Sequence, residues 1–281
     1  MSFPVIRSLL FASANRASVY QKVLSSHSDA VCLDLEDAVP RDQKAEARAP
    51  ALAWMTAGGD IPWRGLRINS LRTPEGLADM VAVCAAAPQS GFLMLPKVDA
   101  AADVQIVAEA LDSVQSGLRL GALIESAAGL EQVYSIADAS PRLAFLVFGA
   151  VDLSAELGID GSDASLAYAR GRVVHAARAA DRPILDVPAL AYKDVASVAE
   201  AATRAKALGF SGKAAIHPSN IACINAAFTP AAEEIDEARE IVDAFEAAPN
   251  GLVVRNGTLI EKPVIRAMQA RLALAEAAGI L

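Results

Sequence analysis

The chain has 281 residues, of which 54% are hydrophobic and only 5% aromatic, and its formal net charge is −8. This acidic balance, with no basic stripe to offset it, predicts a protein that does not bind nucleic acid. No segment approaches the roughly 18 uninterrupted apolar residues of a membrane-spanning helix, and no signal peptide is recognisable, so we expect a cytoplasmic protein without membrane association.

Short apolar segments alternate with longer, alanine-rich amphipathic segments along most of the chain. The short segments predict eight strands, over 6–13, 30–37, 65–70, 91–98, 118–126, 143–154, 182–188 and 210–218. The longer ones predict helices over 15–25, 42–56, 75–87, 100–114, 129–139, 164–181, 194–208, 219–227 and 231–247. Repeated strand–helix units with short connections favour an α/β fold, a parallel (β/α)₈ TIM barrel. The alternative is a doubly wound open sheet, but Ser13–Arg16 is not the glycine-rich turn that such a sheet usually carries.

The tail departs from this alternation. Residues 253–260 predict a small hairpin around Asn256-Gly257, and a helix is expected from Pro263 to about Ala278. We therefore expect a barrel over 1–248 and a C-terminal hairpin–helix extension over 249–281. The extension would form a flap over the barrel mouth or an arm onto a neighbouring subunit.

Two predicted strands end on a carboxylate, Glu125 in the first and Asp152 in the second. Burying an unpaired charge is costly, so a strand that ends in this way needs a compensating partner. Because the two strands are consecutive, their ends would place two oxygen ligands side by side, the kind of ligand that Mg²⁺ prefers. The alternative is that each carboxylate caps the helix that follows it.

Further acids and bases are expected at the same, C-terminal face of the barrel, where catalytic residues of this fold lie. They are Asp34, Glu36, Asp37, Arg67, Asn69, Lys97, Asp186, Lys213 and His217. Together they indicate a metal site that takes an anionic substrate. Arg67 would grip a substrate carboxylate with both arms of its guanidinium, or else form a structural ion pair with Glu36 or Asp37.

Several segments, in order along the chain, resemble the β subunit of citrate lyase and its relatives in the wider HpcH/HpaI aldolase group, which has a pyruvate/phosphoenolpyruvate-type barrel. The matching segments are RSLLF, AVCLDLEDAVP, LRINSLRTPEGL, LPKV, ALIESAAGL, FGAVDLSAELG, GKAAIHPSNI, INAAFTP and LIEKPVIRA. They extend over essentially the whole length, with Lys44 and Arg48 following the second of them.

This resemblance implies a Mg²⁺-dependent carbon–carbon lyase, with Mn²⁺ as an alternative metal. The substrate would be a 3-hydroxyacyl-CoA such as citramalyl-, malyl- or citryl-CoA, cleaved into an α-keto acid and an acyl-CoA. The resemblance also implies a homotrimer or homohexamer. It assigns Glu125 and Asp152 as metal ligands, Arg67 as the carboxylate clamp, Gly149 and Ala150 as substrate contacts, Glu36 and Asp37 as acids around metal-bound water, and Glu261 as a proton-transfer group that closes over a neighbour's site.

Three positions depart from the family pattern. Ala12-Ser13 stands where many members have Pro-Gly, Val151 where many have an acid, and Glu261 where the tail usually has Asp. The first departure bears on CoA recognition and the third on proton transfer. The alternatives are therefore a malyl-CoA-type thioesterase or a CoA-independent keto-acid aldolase on the same site. A function of another class would be a non-catalytic or regulatory subunit of a lyase complex.

Overall fold

The computed structural model describes residues 5–57, 63–248, 253–255 and 258–281. Eight parallel strands form a closed barrel in chain order, and β1 pairs with both β2 and β8. The strands are β1 (Ser8–Ser13), β2 (Ala30–Asp34), β3 (Trp63–Arg67), β4 (Phe92–Leu95), β5 (Arg119–Ile124), β6 (Leu143–Phe148), β7 (Ile184–Asp186) and β8 (Gly212–Ala215). The predicted TIM barrel is therefore confirmed.

Helices follow the strands around the barrel and cover its outer face. They are α1 (Ala17–Leu24), α2 (Lys44–Thr56), α3 (Pro74–Ala86), α4 (Ala101–Ser113), α5 (Ala127–Glu131), α6 (Val133–Ala137), α7 (Ala150–Leu157), α8 (Ala167–Ala179), α9 (Val195–Leu208) and α10 (Ile221–Phe228). Every residue of β2, β4 and β6 is buried. This is why these strands are continuously apolar in the sequence, since both faces of a parallel barrel are covered.

Large aromatic rings fill part of the barrel interior, and small residues make room for them. Phe92 contacts Trp63 and Phe145, with ring centroids 4.7 and 5.3 Å away. Gly65 is the register partner of Phe92 on the neighbouring strand, and a Cβ atom at Gly65 would lie 2.2 Å from the Phe92 ring. The absence of a side chain at Gly65 is therefore a packing requirement of this layer.

The predicted strand over 143–154 is too long. β6 ends at Phe148, and α7 begins at Ala150 after Gly149, which accepts a hydrogen bond from Leu153 N at 3.3 Å. The apolar run continues without interruption from the strand into the first turn of the helix, so hydrophobicity alone did not locate the boundary. Asp152 therefore lies in the first turn of a helix and not at the end of a strand.

One predicted helix also differs in detail. The single helix predicted over 129–139 is two short helices, α5 and α6, which meet at Gln132. The first of these begins earlier than predicted, because the Ser126 side chain accepts a hydrogen bond from Gly129 N and caps it.

The structure forms two compact units, and the barrel unit spans Ile6–Asn225. The other unit includes the described residues from Ala226 to the C-terminus, with α11 (Ala232–Ala247), β9 (Val253–Arg255), β10 (Thr258–Ile260) and α12 (Lys262–Ala277). The structure thus groups α11 with the tail. The antiparallel β9–β10 pair and the terminal helix agree with the predicted extension, whereas the Asn256-Gly257 turn lies outside the described residues.

The second unit has a small core of its own, formed by Ile241, Ile260 and Ile265. The division of the chain at 248/249, and the covering of a neighbouring site by residues 249–281, stay predictions. Among the described helices, none combines the length and hydrophobicity needed to cross a bilayer.

The packing of Gly65 against Phe92 predicts that Gly65→Ala destabilises the barrel by about 1–3 kcal/mol through overpacking. Gly171→Ala is the matched control, because Gly171 lies in α8 and a Cβ atom there would have no neighbouring atom within 4 Å. The control should be about 0.5–1 kcal/mol more stable than the wild type. Urea unfolding monitored by circular dichroism measures both changes, and equal stabilities of the two variants would contradict this packing.

Candidate active site

Asp34 and Arg67 end neighbouring strands and are register partners. Arg67 donates from Nε and Nη2 to the two carboxylate oxygens of Asp34, at 2.7 and 2.5 Å. Asp34 also accepts hydrogen bonds from the backbone N–H groups of Glu36 and Ala38, at 2.9 and 3.1 Å. One buried carboxylate therefore orients both the arginine and the acidic loop that follows β2.

Glu36 lies in this loop and is 7% exposed. Its Oε2 atom is 2.9 Å from Arg67 Nη1, but it has no hydrogen-bond partner among the described residues. Lys44 Nζ donates hydrogen bonds to the carbonyl oxygens of Leu35 and Glu36 and thereby stabilises the loop. Asp37 is exposed, with Oδ2 3.9 Å from Arg67 Nη2. The ion-pair alternative for Arg67 is therefore present, but its main partner is Asp34, which was predicted at this face but not as the partner of Arg67.

Glu125 directly follows β5, is 3% exposed and accepts a hydrogen bond from Lys97 N at 2.8 Å. Gly149, after the adjacent strand β6, packs against it. A Cβ atom at Gly149 would lie 2.3 Å from Glu125 Cβ and 2.9 Å from its Oε2. Any side chain at position 149 would displace Glu125, so this glycine fixes where the carboxylate lies.

Asp152 lies in the first turn of α7, and its side chain is 42% exposed. The first-turn N–H groups of a helix have no intrahelical acceptor and carry partial positive charge. Gly149 has no side chain to cap them, and Ala150 is the first residue of the helix. The predicted substrate contacts Gly149 and Ala150 therefore form a helix start that can bind an anion.

Lys97 connects the two predicted metal ligands. Its backbone donates to Glu125, and its Nζ atom is 3.4 Å from Asp152 Oδ1. Its φ is +50°, in the left-handed region that residues other than glycine rarely adopt, and its carbonyl accepts a hydrogen bond from Arg72 at 3.0 Å. Strained backbone of this kind is typical of functional sites. The sequence placed Lys97 at this face but did not predict its contact with both acids.

The buried acids of the site hold their protons more tightly than usual. Burial raises the pKa of Glu36 to about 7, with Asp37 and Asp34 adding to the effect and Arg67 opposing it. Burial and the nearby Glu36 raise the pKa of Glu125 to about 8, although the hydrogen bond from Lys97 N opposes the shift. Arg67 and Lys97 thus do not supply enough positive charge to keep these carboxylates ionised at their ordinary pKa.

These properties fit a bound divalent cation. Glu36 Oε2 is buried without a hydrogen bond from the described residues. The raised pKa of Glu125 shows that its ionised form lacks sufficient positive charge nearby. In the described part of the chain, no group of three or more His, Cys, Asp or Glu side chains is arranged to enclose a metal. Mg²⁺ does not need such an enclosure, since one or two carboxylates with water and substrate oxygens complete its coordination.

A cavity of about 290 Å³ opens at this site. Its polar lining consists of Ser13, Asp34, Arg67, Glu125 and Asp152, and the rest of its wall is largely apolar. The structure therefore brings Glu125, Asp152, Arg67 and Gly149 together around one space, as predicted from the sequence.

Three other polar residues at the strand ends have different surroundings. Asp186 accepts from Lys213 Nζ and Arg170 Nη1, each at 2.6 Å, and all three side chains are buried. They form a structural ion-pair network. His217 is exposed, and its ring stacks on Tyr192 at 5.1 Å. Glu261 is an exposed residue at the start of α12 in the second unit, and its role at a neighbour's site stays a prediction.

Comparison with known proteins agrees with the fold and the geometry. The HpcH/HpaI aldolase/citrate lyase family matches residues 7–218. An L-malyl-CoA/β-methylmalyl-CoA lyase of Cereibacter sphaeroides is 33% identical over 91% of this chain and 90% of its own. A (3S)-malyl-CoA thioesterase of the same species is 34% identical over 96% and 95% of the two chains.

Among solved structures, CitE of Mycobacterium tuberculosis in complex with magnesium, acetoacetate and coenzyme A superposes with a TM-score of 0.81. It is 30% identical, and 98% of each chain is covered. The chain belongs to the HpcH/HpaI aldolase/citrate lyase family. The prediction of an enzyme, a carbon–carbon lyase of the citrate lyase β-subunit type, is thereby confirmed.

The raised pKa of Glu125 predicts a pH dependence of stability in the metal-free protein. Its pKa of about 8 in the folded state exceeds the ordinary value of 4.5, so the folded protein binds this proton more tightly than the unfolded chain does. The associated stability is fully present below the ordinary pKa and is lost as the pH rises through the folded-state value. Glu125→Gln removes this loss, so in EDTA the variant should gain stability relative to the wild type as the pH rises.

Glu109→Gln is the control, because Glu109 is an exposed acid on α4. It should follow the wild type at every pH. The measurement is the free energy of unfolding in urea at several pH values between the ordinary pKa of 4.5 and the folded-state pKa of about 8. A difference between wild type and Glu125→Gln that does not change with pH would show that Glu125 ionises normally.

Proposed function

We propose that this protein is a divalent-metal-dependent lyase that cleaves a 3-hydroxyacyl-CoA into an α-keto acid and an acyl-CoA. The observation that carries the proposal is the buried acid Glu125, which lines one cavity together with Asp152 and Arg67 and whose pKa is raised to about 8. Glu125 and Asp152 would hold the metal, Mg²⁺ or else Mn²⁺. When bound, the metal would act as a Lewis acid that lowers the pKa of the substrate hydroxyl.

The keto-acid portion of the substrate carries a carboxylate that the chain is built to orient. The first-turn N–H groups of α7, from Ala150 onward, favour an anion there. Arg67 lines the same cavity; its Nε and Nη2 donate to Asp34 and its Nη1 lies 2.9 Å from Glu36 Oε2, so a substrate carboxylate would share the guanidinium with these two acids. Asp34 thus fixes the guanidinium in place, which reduces the ordering that substrate binding requires.

Glu36 is the proposed general base, because its Oε2 atom lies 2.9 Å from Nη1 of Arg67, which lines the cavity. Its pKa of about 7 lies near physiological pH, where a group can both take up and release a proton efficiently. In the cleavage direction, Glu36 would take the proton of the substrate hydroxyl, and the oxygen electron pair would form the keto group. The carbon–carbon bond breaks, its electron pair passes to the thioester enolate, and a proton donor then quenches that enolate.

Glu261 of a neighbouring subunit is the proposed proton donor, and Asp37 would assist as an acid around the metal-bound water. This role of Glu261 requires an oligomer, for which we propose a homotrimer or homohexamer. The tail of each subunit would then complete the site of another. A cytoplasmic location also stays a prediction.

The acyl-CoA substrate is supported by the named relatives, which act on malyl-CoA or β-methylmalyl-CoA. A thioesterase is the second candidate, because a (3S)-malyl-CoA thioesterase is as similar to this chain as the lyases are. In that reaction, water would attack the thioester carbonyl, the C–S bond would break and CoA would leave as the thiol, while the carbon–carbon bond stays intact. Product analysis separates the two, since only the lyase releases a keto acid together with an acyl-CoA.

The proposed metal ligands predict that Glu125→Gln and Asp152→Asn each lower Mn²⁺ affinity by about tenfold or more and abolish the release of keto acid from an acyl-CoA substrate. Isothermal titration with Mn²⁺ and a coupled keto-acid assay measure the two effects. Glu109→Gln, with its acid on α4, should keep both properties. Full metal-dependent turnover in either ligand variant would contradict the assignment.

A further inference from the structure

Lys97 adopts a backbone conformation that its residue type disfavours, although it contacts both proposed metal ligands. Its φ is +50°, where a Cβ atom is crowded by the neighbouring backbone and where glycine has no such penalty. Its backbone N–H donates to Glu125, a contact that glycine could also make. Its Nζ atom lies 3.4 Å from Asp152 Oδ1, a contact that glycine could not make. The chain therefore keeps a side chain here at a steric cost, and the conformation needs support from elsewhere.

That support comes from Arg72, which lies in the loop between β3 and α3. Arg72 Nη1 donates a hydrogen bond to the carbonyl oxygen of Lys97 at 3.0 Å. The backbone N–H and C=O of Lys97 are thus both bound, the first to Glu125 and the second to Arg72. Because both groups are held, the backbone rotations between them are restricted, and this pair of hydrogen bonds stabilises the left-handed conformation.

Arg72 is itself anchored at the start of α4. Its Nη2 atom lies 3.1 and 3.0 Å from the two carboxylate oxygens of Asp103, in the first turn of that helix. Asp103 Oδ2 also accepts hydrogen bonds from the backbone N–H groups of Asp99 and Ala100, at 2.9 and 3.0 Å. Lys97 lies between β4 and this helix start, so the strained residue and the anchor of Arg72 belong to one short segment.

Arg72 has no direct place among the groups that surround the proposed metal. It does not line the cavity that holds Glu125, Asp152 and Arg67. Its side chain is 51% exposed, and ion pairs that are this exposed contribute little to the stability of a fold. The pair with Asp103 therefore does not explain Arg72 as a stabiliser of the barrel, whereas its hydrogen bond to Lys97 acts on a residue that contacts both proposed ligands.

We infer that Arg72 is a positioning residue for the metal site of the proposed function, on which this inference rests. It holds Lys97 in the left-handed conformation, so that the Lys97 N–H points at Glu125 and the ammonium group reaches Asp152. Without Arg72, Lys97 would relax towards the negative φ values that residues with a side chain prefer, and the hydrogen bond to Glu125 would weaken. The two carboxylates would then lose their common orientation, and their affinity for a divalent cation would fall.

Arg72→Met removes the hydrogen-bond donors and keeps much of the apolar length of the side chain. Isothermal titration should show a Mn²⁺ affinity about tenfold below that of the wild type, as expected when a group that orients metal ligands is lost. Equal affinities of Arg72→Met and the wild type would overturn the inference.

Arg142→Met is the matched control. Arg142 also binds one carboxylate, that of Asp112, and one carbonyl, that of Leu118, but it lies directly before β6, at the opposite end of the barrel. The control should bind Mn²⁺ as the wild type does. A loss of affinity as large as that of Arg72→Met would show that removing any such arginine has this effect, and would contradict a specific role for Arg72.

The route through Lys97 has its own test, because glycine adopts a positive φ without support. In a Lys97→Gly background, Arg72→Met should change the Mn²⁺ affinity by less than about twofold, since the backbone N–H of residue 97 can then reach Glu125 without the arginine. The same loss in both backgrounds would show that Arg72 acts by general destabilisation or by another contact, and would overturn the positioning role.

Amide hydrogen exchange gives a readout that needs no metal. In the metal-free protein, the Lys97 N–H of Arg72→Met should exchange about tenfold faster than that of the wild type, because its hydrogen bond to Glu125 opens more often. Arg142→Met should keep the wild-type rate at this amide. An unchanged rate in Arg72→Met would contradict the positioning role.

The inference and the proposed function fail in different ways. If Mn²⁺ does not bind the wild type, the proposed metal site is wrong and the inference falls with it. If Mn²⁺ binds the wild type and Arg72→Met with equal affinity, the metal site stands and only the role of Arg72 is wrong.

Discussion

The excess of carboxylate charge at the barrel mouth is the constraint on which the rest of the site depends. Glu36 and Glu125 lie after the C-terminal ends of their strands, and burial raises the pKa of both, while Arg67 and Lys97 offset this only in part. Such an arrangement is unfavourable for folding by itself. The proposed divalent cation would remove this conflict, because it would supply the missing positive charge together with Lewis-acid chemistry.

The surrounding structure fixes the positions of these carboxylates and of Arg67. Asp34 fixes Arg67 and the acidic loop through hydrogen bonds that the β2–β3 register makes available. Lys97 adopts a left-handed conformation that aims its N–H at Glu125, and the absence of a side chain at Gly149 lets Glu125 lie beside the start of α7. Each device costs conformational freedom or backbone strain. Together they keep Glu125, Arg67 and the start of α7 oriented, which the proposed reaction would require before the substrate arrives.

Much of this organisation follows from local sequence patterns. Apolar runs between amphipathic segments indicate a parallel barrel, and an acid directly after such a run, as at Glu125, marks its functional face. Other features depend on tertiary context. The end of β6 is hidden in a continuous apolar run, so Asp152 could not be placed on a helix. The two hydrogen bonds from Arg67 to Asp34 depend on the register of β2 and β3. The left-handed backbone conformation of Lys97 depends on its contacts with Arg72 and Glu125. The reach of Glu261 depends on assembly, which one chain does not specify.

The most direct test is anomalous diffraction from a crystal soaked in Mn²⁺, because it locates the cation without relying on activity. The proposed site predicts one strong peak at the barrel mouth, about 2.0–2.3 Å from a carboxylate oxygen of Glu125 and one of Asp152. A mouth without a peak at high Mn²⁺ concentration, or a peak bound only by other side chains, would contradict the metal site and the reaction built on it.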